Sequence, residues 1–294
     1  MTRRRTTPWP LILLSPGVGL LVLFVLLPIL LTAWISLHTW SMYTPLSQMD
    51  YVGLANYRGL LNDRTFIRGL WNTLAYSGLS ITLILPLAFF VGQLLYRGLI
   101  RGKSTLRAVV FLPYMIPTIA VAIIWGYLYA PLYGPLNQVL GWFGIPPRAW
   151  LGSVDQAMIS LVIFNVWQTL GYYTVLMVAG LTQIPAVYFE AAVIDGANGW
   201  QQTWRITLPL LKRTLLFVVI IAMINSVQVF DPVYVLTQGG PASATTVLSY
   251  QVYKNAFEFG LAGKASSMAF VLFLVLVVAV AAVMRLLRDP TGES

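Results

Sequence analysis

The sequence predicts an all-α integral membrane protein of about six transmembrane helices. Three observations carry this. Hydrophobic residues fill 58% of the 294 positions and charged residues only 9%, where a soluble domain carries roughly 25% charged side chains. The apolar residues fall in runs long enough for the ~20 residues that a helix needs to cross ~30 Å of hydrocarbon. The basic residues fall in short clusters between those runs, as topology-setting charges do. A soluble fold of this length would leave much of that apolar side chain on its surface. Lipid offers no water to open backbone groups, so the runs must be helical.

The first run, about 11–38, follows Arg3-Arg4-Arg5 and so imitates a secretion signal. It is far longer than the roughly 7–15-residue core of such a signal and shows no small-x-small cleavage site. It is therefore read as an uncleaved first span, with residues 1–10 as a cytoplasmic N-terminus. Further spans are expected at about 70–96, 108–130, 157–183, 212–236 and 265–287, with 288–294 as a cytoplasmic tail. Pro113, Pro117, Pro209 and Pro232 are candidate kinks.

Lysine and arginine set the orientation. With the N-terminus inside, the inner segments hold Arg3, Arg4, Arg5, Arg97, Arg101, Lys103, Arg107, Arg205, Lys212, Arg213, Arg285 and Arg288. The outer segments hold Arg58, Arg64, Arg68, Arg148, Lys254 and Lys264. Twelve against six, of 18 in all, predicts N-in and C-in. The net charge of +9 thus reflects topology, and no nucleic-acid partner is expected. The outer segments carry turn signals at Gly134, Gly141, Gly144, Pro146, Pro147 and Gly239-Gly240-Pro241. Trp142, Trp150, Tyr133 and Tyr253 suit an interfacial belt.

Several chemistries are excluded. There is no cysteine and a single histidine, His38. That rules out thiol chemistry and a Ser-His-Asp set in the usual sense, and leaves His38 as an interfacial polar residue rather than a metal ligand. Gly98-Leu99-Ile100-Arg101-Gly102-Lys103-Ser104 approaches a P-loop, but has three residues between its glycines where the motif needs four. It also lies between membrane spans, so any ATP is hydrolysed on another chain.

The segment 184–209 between the fourth and fifth spans is the most specific in the sequence. Pro185 can open a short helix. Ala191 and Ala192 favour helix and leave a small, smooth face. Gly196 permits a sharp turn. Trp200, Trp204 and Ile206 mark a second helical piece before Pro209. The expected result is a helix–turn–helix knob on the inner side, with small residues flanked by Glu190 and Asp195.

Glu190-Ala191-Ala192, Gly196 and Ile206-Thr207-Leu208-Pro209 together resemble the loop of binding-protein-dependent ABC importer permeases. Val52-Gly53-Leu54-Ala55-Asn56-Tyr57, Asn72-Thr73-Leu74, Phe111-Leu112-Pro113 and Leu236-Thr237-Gln238-Gly239-Gly240-Pro241 resemble the carbohydrate-uptake branch, and the Gly-Gly-Pro stretch its MalF/UgpA-like subunit. The resemblance runs from about residue 50 to 270; the N-terminus lacks the extra spans of the longest members. It implies a type I importer permease fold in a bacterial or archaeal inner membrane. It implies that Glu190, Ala191, Ala192, Asp195 and Gly196 form the ATPase-coupling loop. It implies as partners a second permease subunit, in a heterodimer, a cytoplasmic ABC ATPase dimer and an extracytoplasmic solute-binding protein, besides membrane lipid. No cofactor is expected in this chain; ATP and magnesium would be bound by the ATPase. The chain itself would be no enzyme but would translocate a sugar or sugar-like solute.

Polar side chains inside spans are costly and tend to face a cavity. Asn165, Gln168 and Tyr172 share one helical face at i, i+3 and i+7, flanked by Trp167 and Tyr173. Asn225 and Gln228 lie on a common side of the fifth span, with Asp231 towards its outer end. An ionised aspartate at mid-bilayer would cost ~3 kcal/mol, so Asp231 must sit shallow, paired or beside water. These six are candidate pathway residues, because sugars are held by amides, carboxylates and aromatic rings. The same groups could instead bond helix to helix. An ion-coupled secondary transporter, which needs no inner knob, and a non-transporting membrane scaffold are the rival readings.

Overall fold

The computed structural model describes residues 9–97 and 102–286. Most of the N-terminal segment expected over 1–10, the tail expected over 288–294 and Gly98–Arg101 of the near-P-loop lie outside the described residues.

In chain order the elements are α1 (Leu13–Ile35), β1 (His38–Thr39), β2 (Asp50–Tyr51), α2 (Ala55–Asn62), α3 (Arg64–Arg97), α4 (Lys103–Met115), α5 (Thr118–Leu128), α6 (Pro135–Trp142), α7 (Val154–Leu181), α8 (Ala186–Ile194), α9 (Gly199–Leu210), α10 (Lys212–Val227), α11 (Leu248–Tyr253) and α12 (Ala262–Leu286). Four of these, α1, α3, α7 and α12, are each long and apolar enough to cross a membrane. The bent pairs α4–α5 and α9–α10 raise that to six if each is one span.

Three expectations need correction. The span read over 108–130 is two helices meeting at 98°. Pro117 has no N–H to donate and forces the residue before it out of the α region; Ile116 is accordingly extended, at φ −89 and ψ 137. Pro113, by contrast, stays inside α4. The span read over 212–236 ends its α-helix at Val227, capped by Gln228; a π-helical turn, Val233–Thr237, follows after a break. The span read from residue 70 begins at Arg64, because Asp63 Oδ1 accepts the Thr65 and Phe66 N–H groups at 2.9 and 3.2 Å. That is a helix N-cap in an outer segment.

Contacts divide the chain into two units, residues 1–66 with 251–273, and residues 67–250 with 274–294. In the first, the apolar face of α1 is unburied all round, as suits a helix in lipid. Its outer end is tied down by polar groups. Asn56 Nδ2 donates to the Ser36 and His38 carbonyls at 2.8 and 2.9 Å, and the Tyr57 and Ser36 hydroxyls are bonded at 2.6 Å. His38, 8% exposed, bonds the Trp34 carbonyl through Nδ1 at 2.8 Å and lies against the Trp34 and Tyr51 rings. No metal-ligating cluster stands around it among the described residues. Lys264 Nζ meets Asp63 Oδ2 at 2.8 Å.

The second unit holds the main core. Ile84 and Ala88 of α3, Tyr173, Met177 and Leu181 of α7, and Val218 and Ala222 of α10 form one buried cluster. Val121, Ala122 and Trp125 of α5 meet Phe164 of α7 in another. The closest approach is α4 on α7: a Cβ on Gly171 would stand 2.2 Å from the Val110 carbonyl oxygen. Outer loops are held by amide side chains. Asn72 Nδ2 donates to the Ser243 and Thr246 carbonyls at 2.9 and 2.8 Å. Asn137 Nδ2 donates to the Pro131 and Arg148 carbonyls, and its Oδ1 accepts from the Arg148 N–H and from Trp150 Nε1, all at 2.9–3.0 Å. Trp150 is thereby a packed residue, whereas Trp142 is 79% exposed.

Candidate functional site

The inner knob is built by three local signals. Pro185 takes the extended N-cap position, φ −60 and ψ 134, and α8 follows. Helix α8 ends in a Schellman motif. The Gly196 N–H donates to the Val193 carbonyl at 3.0 Å and the Ala197 N–H to the Ala192 carbonyl at 2.8 Å, with Gly196 left-handed at φ +76. That conformation strongly favours glycine. Asn198 and Gln201 then cap α9 reciprocally: the Gln201 N–H donates to Asn198 Oδ1 and the Asn198 N–H to Gln201 Oε1, both at 2.9 Å. Such a box satisfies helix-end donors that nothing else reaches.

Glu190, Ala191, Asp195 and Gly196 are exposed on this knob, and Ala192 alone of the five is buried. Around them stand exposed apolar side chains: Val187, Tyr188, Val193, Ile194 at 85% exposure, Trp200 and Trp204. The two tryptophan rings meet edge-on at 5.4 Å. Helix α9 meets α10 at 71°, with the break at Leu211. The fifth helix therefore restarts at Lys212, three residues beyond Pro209.

The candidate pathway residues do not behave alike. Gln168, 5% exposed, donates through Nε2 to Thr118 Oγ1 at 3.1 Å, and so ties α7 to the break between α4 and α5. Tyr172 stacks on Tyr114 with centroids 4.5 Å apart and planes 17° apart. Asn225, exposed on α10, donates to the Tyr173 hydroxyl at 3.2 Å. Asn165 is half-buried, its carbonyl accepting the Thr169 hydroxyl at 2.7 Å. Gln228 and Asp231 lie at and beyond the end of α10, exposed and half-buried. The structure thus joins Asn225 to Tyr173 and Tyr172 to Tyr114. Sequence reasoning missed Tyr114 and Thr118. Their signal was Pro113-Tyr114-Met115-Ile116-Pro117-Thr118, two prolines four apart bracketing a helix break.

The binding-protein-dependent transport system inner membrane component family matches residues 84–290. The chain belongs to this family. It is 37% identical over 282 residues to the trehalose/maltose transport system permease protein MalF of Thermococcus litoralis, covering 95% of this chain and 94% of that one. It is 30% identical over 281 residues to the sulfoquinovosyl glycerol transport system permease protein SmoG of Agrobacterium fabrum, covering 94% and 89%. Trehalose permease SugA of Mycobacterium tuberculosis matches at 30% over 259 residues, covering 88% and 82%. Among solved structures, a bacterial alginate ABC transporter in complex with its alginate pentasaccharide-bound periplasmic protein superposes with a TM-score of 0.83 at 23% identity, over 98% of this chain and 96% of that one. The fold of this binding-protein-dependent permease is therefore that of ABC importer permeases. Membership makes the chain a multi-pass membrane translocation subunit and not an enzyme.

Proposed function

We propose that this permease is one half of the pathway of an ATP-driven importer for a sugar or sugar-like solute in a bacterial or archaeal cell membrane. A second permease subunit completes the pathway, a solute-binding protein delivers cargo from outside, and a cytoplasmic ATPase dimer binds ATP and magnesium and drives the cycle. The observation that carries the reading is the inner knob. Helix α8 starts at Pro185, is closed at its far end by the Gly196 Schellman turn, and presents Val187, Val193 and Ile194 to the surface beside Glu190 and Asp195. A rigid, short helix with exposed apolar side chains suits insertion into a protein cleft. The sugar class is supported by the Tyr114–Tyr172 stack and the Asn225–Tyr173 pair, which offer flat rings and an amide to a polyhydroxy solute. It is supported too by the solutes for which the relatives are named.

The test is reconstitution with both permeases, the ATPase and the binding protein in liposomes. Uptake of labelled sugar is expected with ATP inside and absent without it. Glu190→Lys and Gly196→Asp are expected to lose ATPase on co-purification and to abolish uptake. Proton- or sodium-driven uptake by the isolated chain, or undisturbed coupling in both variants, would sink the reading.

A further inference from the structure

Beside the α4–α7 contact lies a cleft used by neither the knob nor the pathway candidates. Leu95 of α3, Val110 of α4 and Val175 and Val178 of α7 wall a cleft of about 80 Å³ that opens to the outside of the helix bundle. Two polar groups also line it. Arg107 reaches it from α4; its side chain is exposed and has no carboxylate partner among the described residues. Thr174 reaches it from α7, 2% exposed, and its hydroxyl has no hydrogen-bond partner.

Height and charge narrow the occupant. Leu95 stands two residues from the end of α3, Arg107 four residues into α4 and Val178 three from the end of α7. All three ends run into the inner segments. Thr174 lies seven residues from the end of α7, roughly 10 Å along the helix, and Arg107 roughly 6 Å along α4. The mouth therefore sits at headgroup level and the body in the hydrocarbon below it. Arg97, Arg101, Lys103 and Arg107 crowd this stretch of sequence, and no acidic residue occurs between Arg64 and Val154. Basic pockets between helices on the inner side are where anionic headgroups bind.

We propose that this cleft binds an anionic phospholipid of the cytoplasmic leaflet. The phosphate sits on the Arg107 guanidinium, and the acyl chain lies against Leu95, Val110, Val175 and Val178. Helix α7 leads from the cleft straight into the segment 184–209, so the lipid seats the helix that carries the knob.

The experiment uses the full chain in nanodiscs of phosphatidylcholine containing phosphatidylglycerol, extracted and examined by native mass spectrometry for retained phosphatidylglycerol. Arg107→Gln is expected to retain about fivefold less, the worth of one basic contact near a membrane, and the cleft-filling Val178→Phe to retain less than the parent chain. Arg107→Lys should fall between, and Arg213→Gln, on the same inner side, should match the parent chain. Inorganic phosphate should not displace the lipid. Arg107 is exposed, so its replacement leaves the packing intact. Equal retention in Arg107→Gln and the parent, equal loss in Arg213→Gln, or displacement by phosphate alone would each overturn the assignment.

Discussion

At Gly171 the backbone of α4 comes so close that a Cβ would stand 2.2 Å from the Val110 carbonyl and 2.5 Å from the Phe111 Cα. Both obstacles are backbone, which cannot rotate aside. Gly171→Ala should therefore part α4 from α7 and cost about 1–3 kcal/mol, the usual range for overpacking. A lowered thermal midpoint in detergent is the readout, and an unchanged one would refute the close contact. Asp63 presents the opposite case, a polar contact legible only in three dimensions. Burial raises its pKa, but the hydrogen bond from Lys264, the Phe66 N–H, the Lys264 charge and the Thr65 N–H together hold it below the ordinary 3.8. A depressed carboxyl stabilises the fold above its unfolded pKa and loses that stabilisation as pH falls through the folded one. Stability should thus drop on acidification below about pH 4, and Asp63→Asn should flatten that limb of a pH–melting curve. Nothing in the local sequence pairs residue 63 with residue 264; two hundred residues of chain separate them.

At the scale of elements, the α8–α9 turn rests on one left-handed residue. A Cβ at Gly196 would meet nothing within 4 Å, so the penalty of substitution is conformational alone. Gly196→Ala should cost roughly 1 kcal/mol, Gly196→Asn less and Gly196→Val more, read as faster hydrogen exchange across residues 192–198. Equal protection in all variants would mean that the turn is set elsewhere. This element was legible beforehand because capping signals act within a few residues. The break between α4 and α5 was only half legible. Pro113 and Pro117 look alike in the sequence, yet Pro113 remains in a helix and Pro117 breaks one. The bond from Gln168 to Thr118 sits at that break. Gln168→Leu should cost about 0.6 kcal/mol, the mean for such bonds between membrane helices, with solute affinity preserved. A selective loss of affinity without loss of stability would instead place Gln168 on the pathway.

For the molecule as a whole, the orientation follows from lysine and arginine counts. The absence of cysteine makes it directly testable. A single cysteine at Ser153 should react with a membrane-impermeant maleimide in right-side-out vesicles, and one at Ala197 only in inverted vesicles. The reverse pattern would invert the topology and place the knob outside, where no ATPase can reach it.

The order of apolar runs, the side on which basic clusters fall and the capped turn at 184–209 were all determined by sequence alone, because burial in lipid, topology and helix capping each depend on residues within one run or one turn. Tertiary structure decided which prolines break, which amides bond helix to helix and which aromatics meet, as with Tyr114 on Tyr172. Those outcomes depend on what a neighbouring helix presents at the same height, and spacing along one chain carries no record of that height.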